Sequence, residues 1–267
     1  MVFKVLLVFG FILFLSFTNG IPLKLSSDDN DLPQNPSDKS AYNFAIDISG
    51  FASVSTLQCV YQQGYDAVFV QVYSPSNGGS PNQNGIGTIS LALSAKLGTE
   101  IYVTPSTSGK SGSQQFSEAY NAVKGQGINV QTIWLQVTSA INWPNNIQSN
   151  INLIESFVSQ AYVNGISIGI YTNYNDWQQI TGNYVDSYPL RLWYYNVYSN
   201  GPTGESPANF DDFRSFGQWN QPNAKQFAQN EGLCGITVNR NVYPSNGKKA
   251  ENKKTTTKNE NTVGGFV

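Results

Sequence analysis

Between residues 41 and 244, short β-rich runs alternate with segments of helical spacing, and this alternation constrains the fold more than any other feature. Runs at 43–49 (NFAIDIS), 66–73 (DAVFVQVY), 100–105 (EIYVTP), 131–138 (QTIWLQVT), 166–172 (ISIGIYT) and 191–197 (RLWYYNV) are rich in β-branched and aromatic residues. They are followed by 213–219 (FRSFGQW) and 235–243 (GITVNRNVY). Between the early runs lie SVSTLQCVYQQG, TISLALSAKLG, SQQFSEAYNAVKGQG and NIQSNINLIESFVSQAYVNG, whose apolar residues recur at helical spacing. Gly64, Gly98, Gly125 or Gly127, and Gly165 are the expected stops, because glycine enters the left-handed backbone that ends a helix. Strands separated by one crossover helix pair in parallel, and about eight in succession favour closure over an open sheet. The expected fold is α/β: a single irregular β/α (TIM-like) barrel over 41–244.

Side chains alternate across a strand, so each run can be divided into two faces. Ile133, Leu135 and Val137 oppose Trp134, Gln136 and Thr138, and Ile46 and Ile48 oppose Asp47 and Ser49. Val68, Val70 and Val72 oppose Phe69, Gln71 and Tyr73, while Ile168 and Ile170 oppose Gly169 and Tyr171. The aliphatic face suits packing on helices. The other face becomes polar toward each strand's C-terminal end, where a parallel barrel opens its binding cleft.

Composition narrows the chemistry. The chain contains no histidine, which excludes a Ser/His/Asp triad and a Cys/His pair and leaves Asp, Glu, Tyr and Lys to handle protons. With a net charge of −2 and only 12% charged residues, nothing in it is built to grip nucleic acid. Residues 1–20 combine one lysine, an apolar run and a small polar end, the pattern of a cleaved signal peptide, so the mature protein is expected outside the cell or in a lysosome or gut lumen, with no membrane attachment. Residues 21–40 read as a disordered linker and 245–267 as a disordered polar tail.

AIDIS (45–49), TIWLQVTS (132–139), GIYTNYNDW (169–177), LRLWYYNVY (190–198), GQW (217–219) and ITVNRNVY (236–243) fall in a particular order and spacing. In these the chain resembles glycoside hydrolase family 25, the Chalaropsis-type lysozymes, and in particular their invertebrate lysozyme-like branch. The resemblance implies an irregular β/α barrel, a monomer without metal or organic cofactor, and cleavage of the β-1,4 bond after N-acetylmuramic acid in bacterial peptidoglycan. The family's opening-strand Asp corresponds to Asp47. Its Asp-x-Glu pair corresponds to Gln136 and Thr138, and its late Asp-x-Asn motif to Asn239 and Asn241, so those acids are absent.

Glycoside cleavage needs a proton donor for the leaving oxygen and a second group that supplies or steers a nucleophile, usually two carboxyls about 5–10 Å apart. Neither Gln136 nor Thr138 can serve as the acid. The candidate catalytic residue is therefore Asp47, with Gln71, Tyr73, Gln136, Thr138, Tyr171, Trp193, Tyr195, Gln218 and Asn239 as candidate glycan-binding residues. Asp176 reads as a helix-start residue, and Glu205, Asp211 and Asp212 read as solvated loop charges. Two functions stay open: a secreted muramidase of antibacterial defence or digestion, and a catalytically weak or inactive glycan-binding protein. Closure of a barrel also places its first and last strands side by side, which makes a Cys59–Cys234 disulfide the leading expectation over two buried free thiols.

Overall fold

The computed structural model describes residues 41–245 and 261–267; the expected signal peptide and linker lie outside the described residues. In chain order the elements are β1 (Tyr42–Ile48), α1 (Val54–Gln62), β2 (Ala67–Ser74), β3 (Ser80–Pro81), α2 (Gln83–Ser94), β4 (Gly98–Val103), α3 (Gly112–Lys124), β5 (Asn129–Val130) and β6 (Thr132–Gln136). There follow α4 (Ile147–Val163), β7 (Ser167–Thr172), α5 (Tyr174–Thr181), β8 (Arg191–Tyr195), β9 (Ala224–Leu233), β10 (Ile236–Pro244) and β11 (Thr262–Val263). Each helix opens on a Ser or Asn cap (Ser53, Asn82, Ser111, Asn146, Asn173) whose side-chain oxygen accepts a first-turn N–H, worth about 1 kcal/mol apiece.

Eight strands close into a barrel in the order β1-β10-β9-β8-β7-β6-β4-β2, with β2 returning to β1. The pairs from β1–β2 round to β8–β9 are parallel. β9–β10 and β10–β1 are antiparallel, which makes the barrel irregular.

The strand expected at 213–219 does not form. That stretch is a turn pinned by a Phe216–Trp219 bridge, and its aromatic residues imitate a strand because Phe216 and Trp219 fill the core on the helix side. The true strand is β9, whose polar sequence (AKQFAQNEGL) conceals it: Lys225 is fully buried, held by Asp212 at 2.8 Å and by the Pro207 carbonyl at 2.7 Å. Asp212 also accepts from Tyr194 at 2.6 Å and Asn196 at 2.5 Å, so it is an anchor and not a solvated charge. Glu205 likewise pairs with Arg240, at 2.6 Å.

The two faces read from the sequence pack as two layers. Ile133, Leu135 and Val137 meet the helices, whereas Phe69, Tyr102, Trp134, Tyr171 and Trp193 fill the barrel. Small residues make room for these rings: Ala45, Ala67 and Ala224 share the interior, and a Cβ added at Gly169 would lie 2.1 Å from the Trp134 ring. Gly64, Gly127 and Gly165 end their helices at positive φ as expected. Gly98 does not: Lys96 takes the left-handed conformation, and Gly98 instead leaves space for Phe266.

The last described residues depart from the expectation of a tail disordered through 267. β11 pairs in parallel with β5, and the Phe266 and Val267 N–H groups donate to Glu100 Oε1 at 2.7 and 3.3 Å. Cys59 and Cys234 form a disulfide with a Cα separation of 5.9 Å. Cys234 and Gly235 make the tight β9–β10 turn, both at positive φ as a two-residue hairpin of this type requires. The bridge thus fastens the last hairpin to the helix that follows β1.

Candidate functional site

The site lies at the C-terminal mouth, where β1, β9 and β10 bring Asp47 against three amides. Asn239 Nδ2 donates to Asp47 Oδ1 at 2.8 Å, while Gln226 Nε2 and Asn241 Nδ2 donate to Oδ2 at 2.8 and 2.9 Å. The strand register sets this arrangement, with Asp47 opposite Asn239 and Asn241 opposite both Ala45 and Gln226.

The surroundings fix the orientation of each amide. Trp193 Nε1, which can only donate, bonds Asn241 Oδ1 at 2.9 Å and so turns the Asn241 nitrogen toward the acid. Asn239 Oδ1 accepts the Asn230 backbone N–H at 3.0 Å. Gln226 Oε1 accepts from Tyr171 Oη at 2.8 Å and from Gln229 Nε2. All three amides therefore present donors to Asp47. Burial pushes the Asp47 carboxyl above its ordinary range, and the donors from Asn241, Asn239 and Gln226 pull it partly back by favouring the anion. Tyr102 and Tyr171 are held neutral: burial raises both phenols, and the nearby Asp47 charge raises them further.

Above Asp47 opens a cavity of about 310 Å³ whose wall is polar and aromatic. Tyr102 and Tyr171 lie at its base, Gln136, Thr138 and Ser139 on one side, and Asn239, Asn230 and Gln229 on the other, with Tyr195 completing it. Gln136 accepts from Thr104 Oγ1 at 2.6 Å and donates to Thr138 Oγ1 at 2.9 Å, so Gln136 and Thr138 are bonded to each other. Tyr195 donates to Asp176 Oδ2 at 2.5 Å, and the same carboxylate accepts the Ser139 and Ala140 N–H groups. Asp176 does sit in the first turn of a helix, and it stands behind the wall as a brace. Among the described residues lining the cavity, Asp47 is the one carboxyl. Among the described residues, no three Cys, Asp or Glu side chains gather closely enough to hold a metal ion.

The structure therefore brings together Asp47, Gln136, Thr138, Tyr171, Tyr195 and Asn239 from the residues picked out in the sequence. Gln71 stands one step back, donating to Thr104 at 2.7 Å and accepting from Asn82 at 3.0 Å. Three others do not reach the mouth. Tyr73 faces the helix layer and donates to Glu118 at 2.7 Å, because the β2–β4 register shifts between Gln71 and Tyr73 and breaks the alternation. Trp193 is fully buried between Phe69 and Tyr171, with ring centroids at 4.3 and 4.1 Å, and acts as barrel filling. Gln218 braces a distant turn, accepting from Asp186 N at 2.8 Å and donating to the Tyr188 carbonyl at 2.9 Å. Sequence reasoning missed Tyr102, Gln226, Gln229, Asn230 and Ser139. Only Tyr102 carried a usable signal, the inward alternation Glu100, Tyr102, Thr104.

Comparison with known proteins shows the family and the fold. The family model described as "Lysozyme-like protein 1" matches residues 38–227. Lysozyme-like protein 7 of Caenorhabditis elegans is 49% identical over 228 residues, 84% of this chain and 81% of that one. Probable GH family 25 lysozyme 2 of Dictyostelium discoideum is 28% identical over 200 residues, 74% of this chain and 90% of its own length. The fold is shared with the muramidase from Trichobolus zukalii, at a TM-score of 0.55 and 17% identity over 76% of this chain and 94% of the other. With its barrel shared and most of its length matched in this way, the chain belongs to the lysozyme-like proteins of glycoside hydrolase family 25.

Proposed function

We propose that this protein is secreted and acts on bacterial peptidoglycan, seating the β-1,4-linked glycan strand over Asp47 in antibacterial defence or digestion. The observation that carries the reading is the mouth itself: a single carboxylate locked as an acceptor, ringed by amides, hydroxyls and tyrosines. Such a surface offers hydrogen bonds to sugar hydroxyl and acetamido groups and ring faces to their C–H surfaces. As a muramidase, the protein uses Asp47 to steady the positive charge that develops at the anomeric carbon, or to hold the acetamido N–H of a sugar that assists its own cleavage. Three inward-pointing donors make Asp47 a poor source of protons. The leaving oxygen then takes its proton from water, and turnover is slow, since losing a general acid costs about 10²–10⁴-fold.

The second reading, glycan binding without turnover, is favoured by the lack of another carboxyl among the described residues of the cavity wall. Both readings meet in one experiment on purified peptidoglycan, scoring co-sedimentation and release of reducing ends. Sedimentation with slow release supports muramidase action, and sedimentation with none supports pure binding. Failure to sediment removes both. The pair Gln136→Asp with Thr138→Glu is expected to raise release above wild type by at least about tenfold, because it returns acids to the cavity wall.

A further inference from the structure

Behind the amide wall of the site, on the outer face of the β9–β10 hairpin, one guanidinium serves three partners. Arg240 lies between Asn239 and Asn241 on β10, and strand alternation turns it away from Asp47 while its two neighbours turn toward that acid. Its Nη1 bonds Glu205 Oε1 at 2.6 Å and Glu231 Oε2 at 3.2 Å, and its Nε donates to Tyr65 Oη at 2.7 Å. The charged and titratable groups that face one another here are thus Arg240 from β10, Glu231 from β9, Glu205 from the loop after β8 and Tyr65 from the turn before β2.

The cluster spans an irregularity that shapes the site. Between the pairs Glu231 with Val238 and Ala228 with Arg240, β9 sets Gln229 and Asn230 against the single residue Asn239, a bulge whose residues line the Asp47 cavity. The Glu231–Arg240 pair closes this bulge from outside. The loop that carries Glu205 is fastened to the same strand, with the Gly201 N–H donating to the Gln229 carbonyl at 2.7 Å and the Ser206 N–H to the Phe227 carbonyl at 2.9 Å.

Two features exceed what is needed to hold a hairpin. Two carboxyls share one nitrogen, so when both are ionised they repel across it. Glu231 is also only 6% exposed, and its Oε1 has no hydrogen-bond partner. A buried oxygen left without a donor is destabilising, and the Glu205 carboxyl beside it becomes a donor once protonated. Burial raises the Glu205 carboxyl above its ordinary range; the Arg240 charge lowers it, and the Glu231 carboxylate raises it again.

We propose that Glu205, Glu231 and Arg240 form a proton-operated clasp on the Asp47 site: as pH falls, Glu205 takes up a proton from solvent and hydrogen-bonds Glu231 with it, which fastens the loop to the bulge and holds Gln229, Asn230 and Asn239 in place. The clasp belongs to the hairpin itself, and its effect on ligand rests on the glycan reading above.

Glu205→Gln imitates the protonated acid at every pH, since its amide can both donate to Glu231 and accept from Arg240. In co-sedimentation with purified peptidoglycan, this variant is expected to bind about fivefold more tightly than wild type near pH 7.5 and equally near pH 5, the size of a modest coupling between sites. The ratio of the two affinities cancels the protonation of Asp47, which both proteins share. Carboxyl-carbon NMR is expected to show Glu205 titrating above its ordinary 4.5 in wild type and lower in Glu231→Gln. The side-chain amide resonances of Gln229 and Asn239 are expected to follow the Glu205 midpoint in wild type and to lose that step in Glu205→Gln. An affinity ratio that is the same at both pH values, or amide resonances blind to Glu205, overturns the clasp and leaves the glycan reading standing. Amide resonances that follow Glu205, with no sedimentation at either pH, support the clasp and remove the glycan reading.

Discussion

Asp47 and Glu100 are both buried carboxyls inside the same barrel, and burial raises both above their ordinary range, yet their neighbours differ in kind. Asp47 sits at the C-terminal end of β1, beneath an open cavity, and receives three side-chain amides. Glu100 sits near the start of β4, at the opposite end of the parallel strands. It accepts from Trp134 Nε1 at 2.9 Å and from the Phe266 and Val267 backbone, with the Arg191 charge nearby. One acid is covered by protein and the other by space that a ligand can enter. A raised carboxyl therefore does not identify a functional site by itself; access does.

The disulfide gives the strongest means of separating the two ends. The hairpin it fastens carries Gln226, Asn239 and Asn241, so only the Asp47 end depends on it directly. Changing Cys59→Ser with Cys234→Ser opens a loop of 175 residues, with a loss of stability of up to about 5 kcal/mol by the chain-entropy argument. Denaturant unfolding measures the loss. Hydrogen exchange is expected to show lost protection in β9 and β10 first, with β4 and β6 kept. Uniform loss at both ends would mean that the bridge supports the whole barrel and not the Asp47 cluster.

Catalysis should distinguish the two acids next. Asp47→Asn is expected to remove peptidoglycan turnover, a drop of about 10²–10³-fold where wild-type turnover is measurable, the loss typical of one group that stabilises transition-state charge, with the fold kept. Glu100→Gln retains a partner for the Trp134 indole and is expected to leave turnover unchanged. Equal rates for wild type and Asp47→Asn would take Asp47 out of the mechanism.

The contrast also shows what could be read from the chain. Asp47, Gln136 and Thr138 were legible because each lies on a strand with clean alternation against aliphatic neighbours. Gln226 was not, because β9 buries Lys225 and Gln226 and so lacks the apolar signature of a strand; with the strand unseen, its contribution to the site was unseen too. Tyr73 was misplaced by a register shift that leaves no mark in residue types. Trp193 pointed inward as read, but depth along a strand decides whether an inward ring fills the barrel or lines its mouth, and alternation carries no depth. The Glu100 end was illegible for another reason. Its closure comes from Phe266 and Val267, more than 160 residues away, in a segment whose composition suggested no structure.

That closure supplies a third comparison. Removing residues 261–267 takes both backbone donors from Glu100 and uncovers the base of the barrel. The expected loss is about 1–3 kcal/mol, the cost of leaving a buried acceptor unsatisfied, moderated by water that can replace the segment. Binding to peptidoglycan is expected to stay at the wild-type level, since the cavity lies at the other end. A fall in wall binding would show that the two ends are coupled.

The smallest effect is expected in the pH dependence of stability. A carboxyl whose pKa is higher in the folded state than in the unfolded chain binds its proton more tightly when folded. Stability then rises as pH falls from above the folded value toward the ordinary value, 3.8 for Asp47 and 4.5 for Glu100. Glu118 and Asp212 act in the opposite sense, because Lys110 and Lys225 help to hold them below their ordinary values; their contribution is lost only as pH falls further, through those lowered values. Above those ordinary values the raised groups therefore set the slope, and wild type should melt at a higher temperature as pH falls toward them. Asp47→Asn and Glu100→Gln should each flatten that rise. The flattening should be the smaller for Asp47 when a glycan oligomer that binds over it is present in both measurements, because the ligand adds contacts whose strength depends on the charged form. Melting curves at two pH values, with and without oligomer, test this. A slope unchanged in both variants would show that neither acid has a raised folded pKa, and the comparison between them would then rest on access alone.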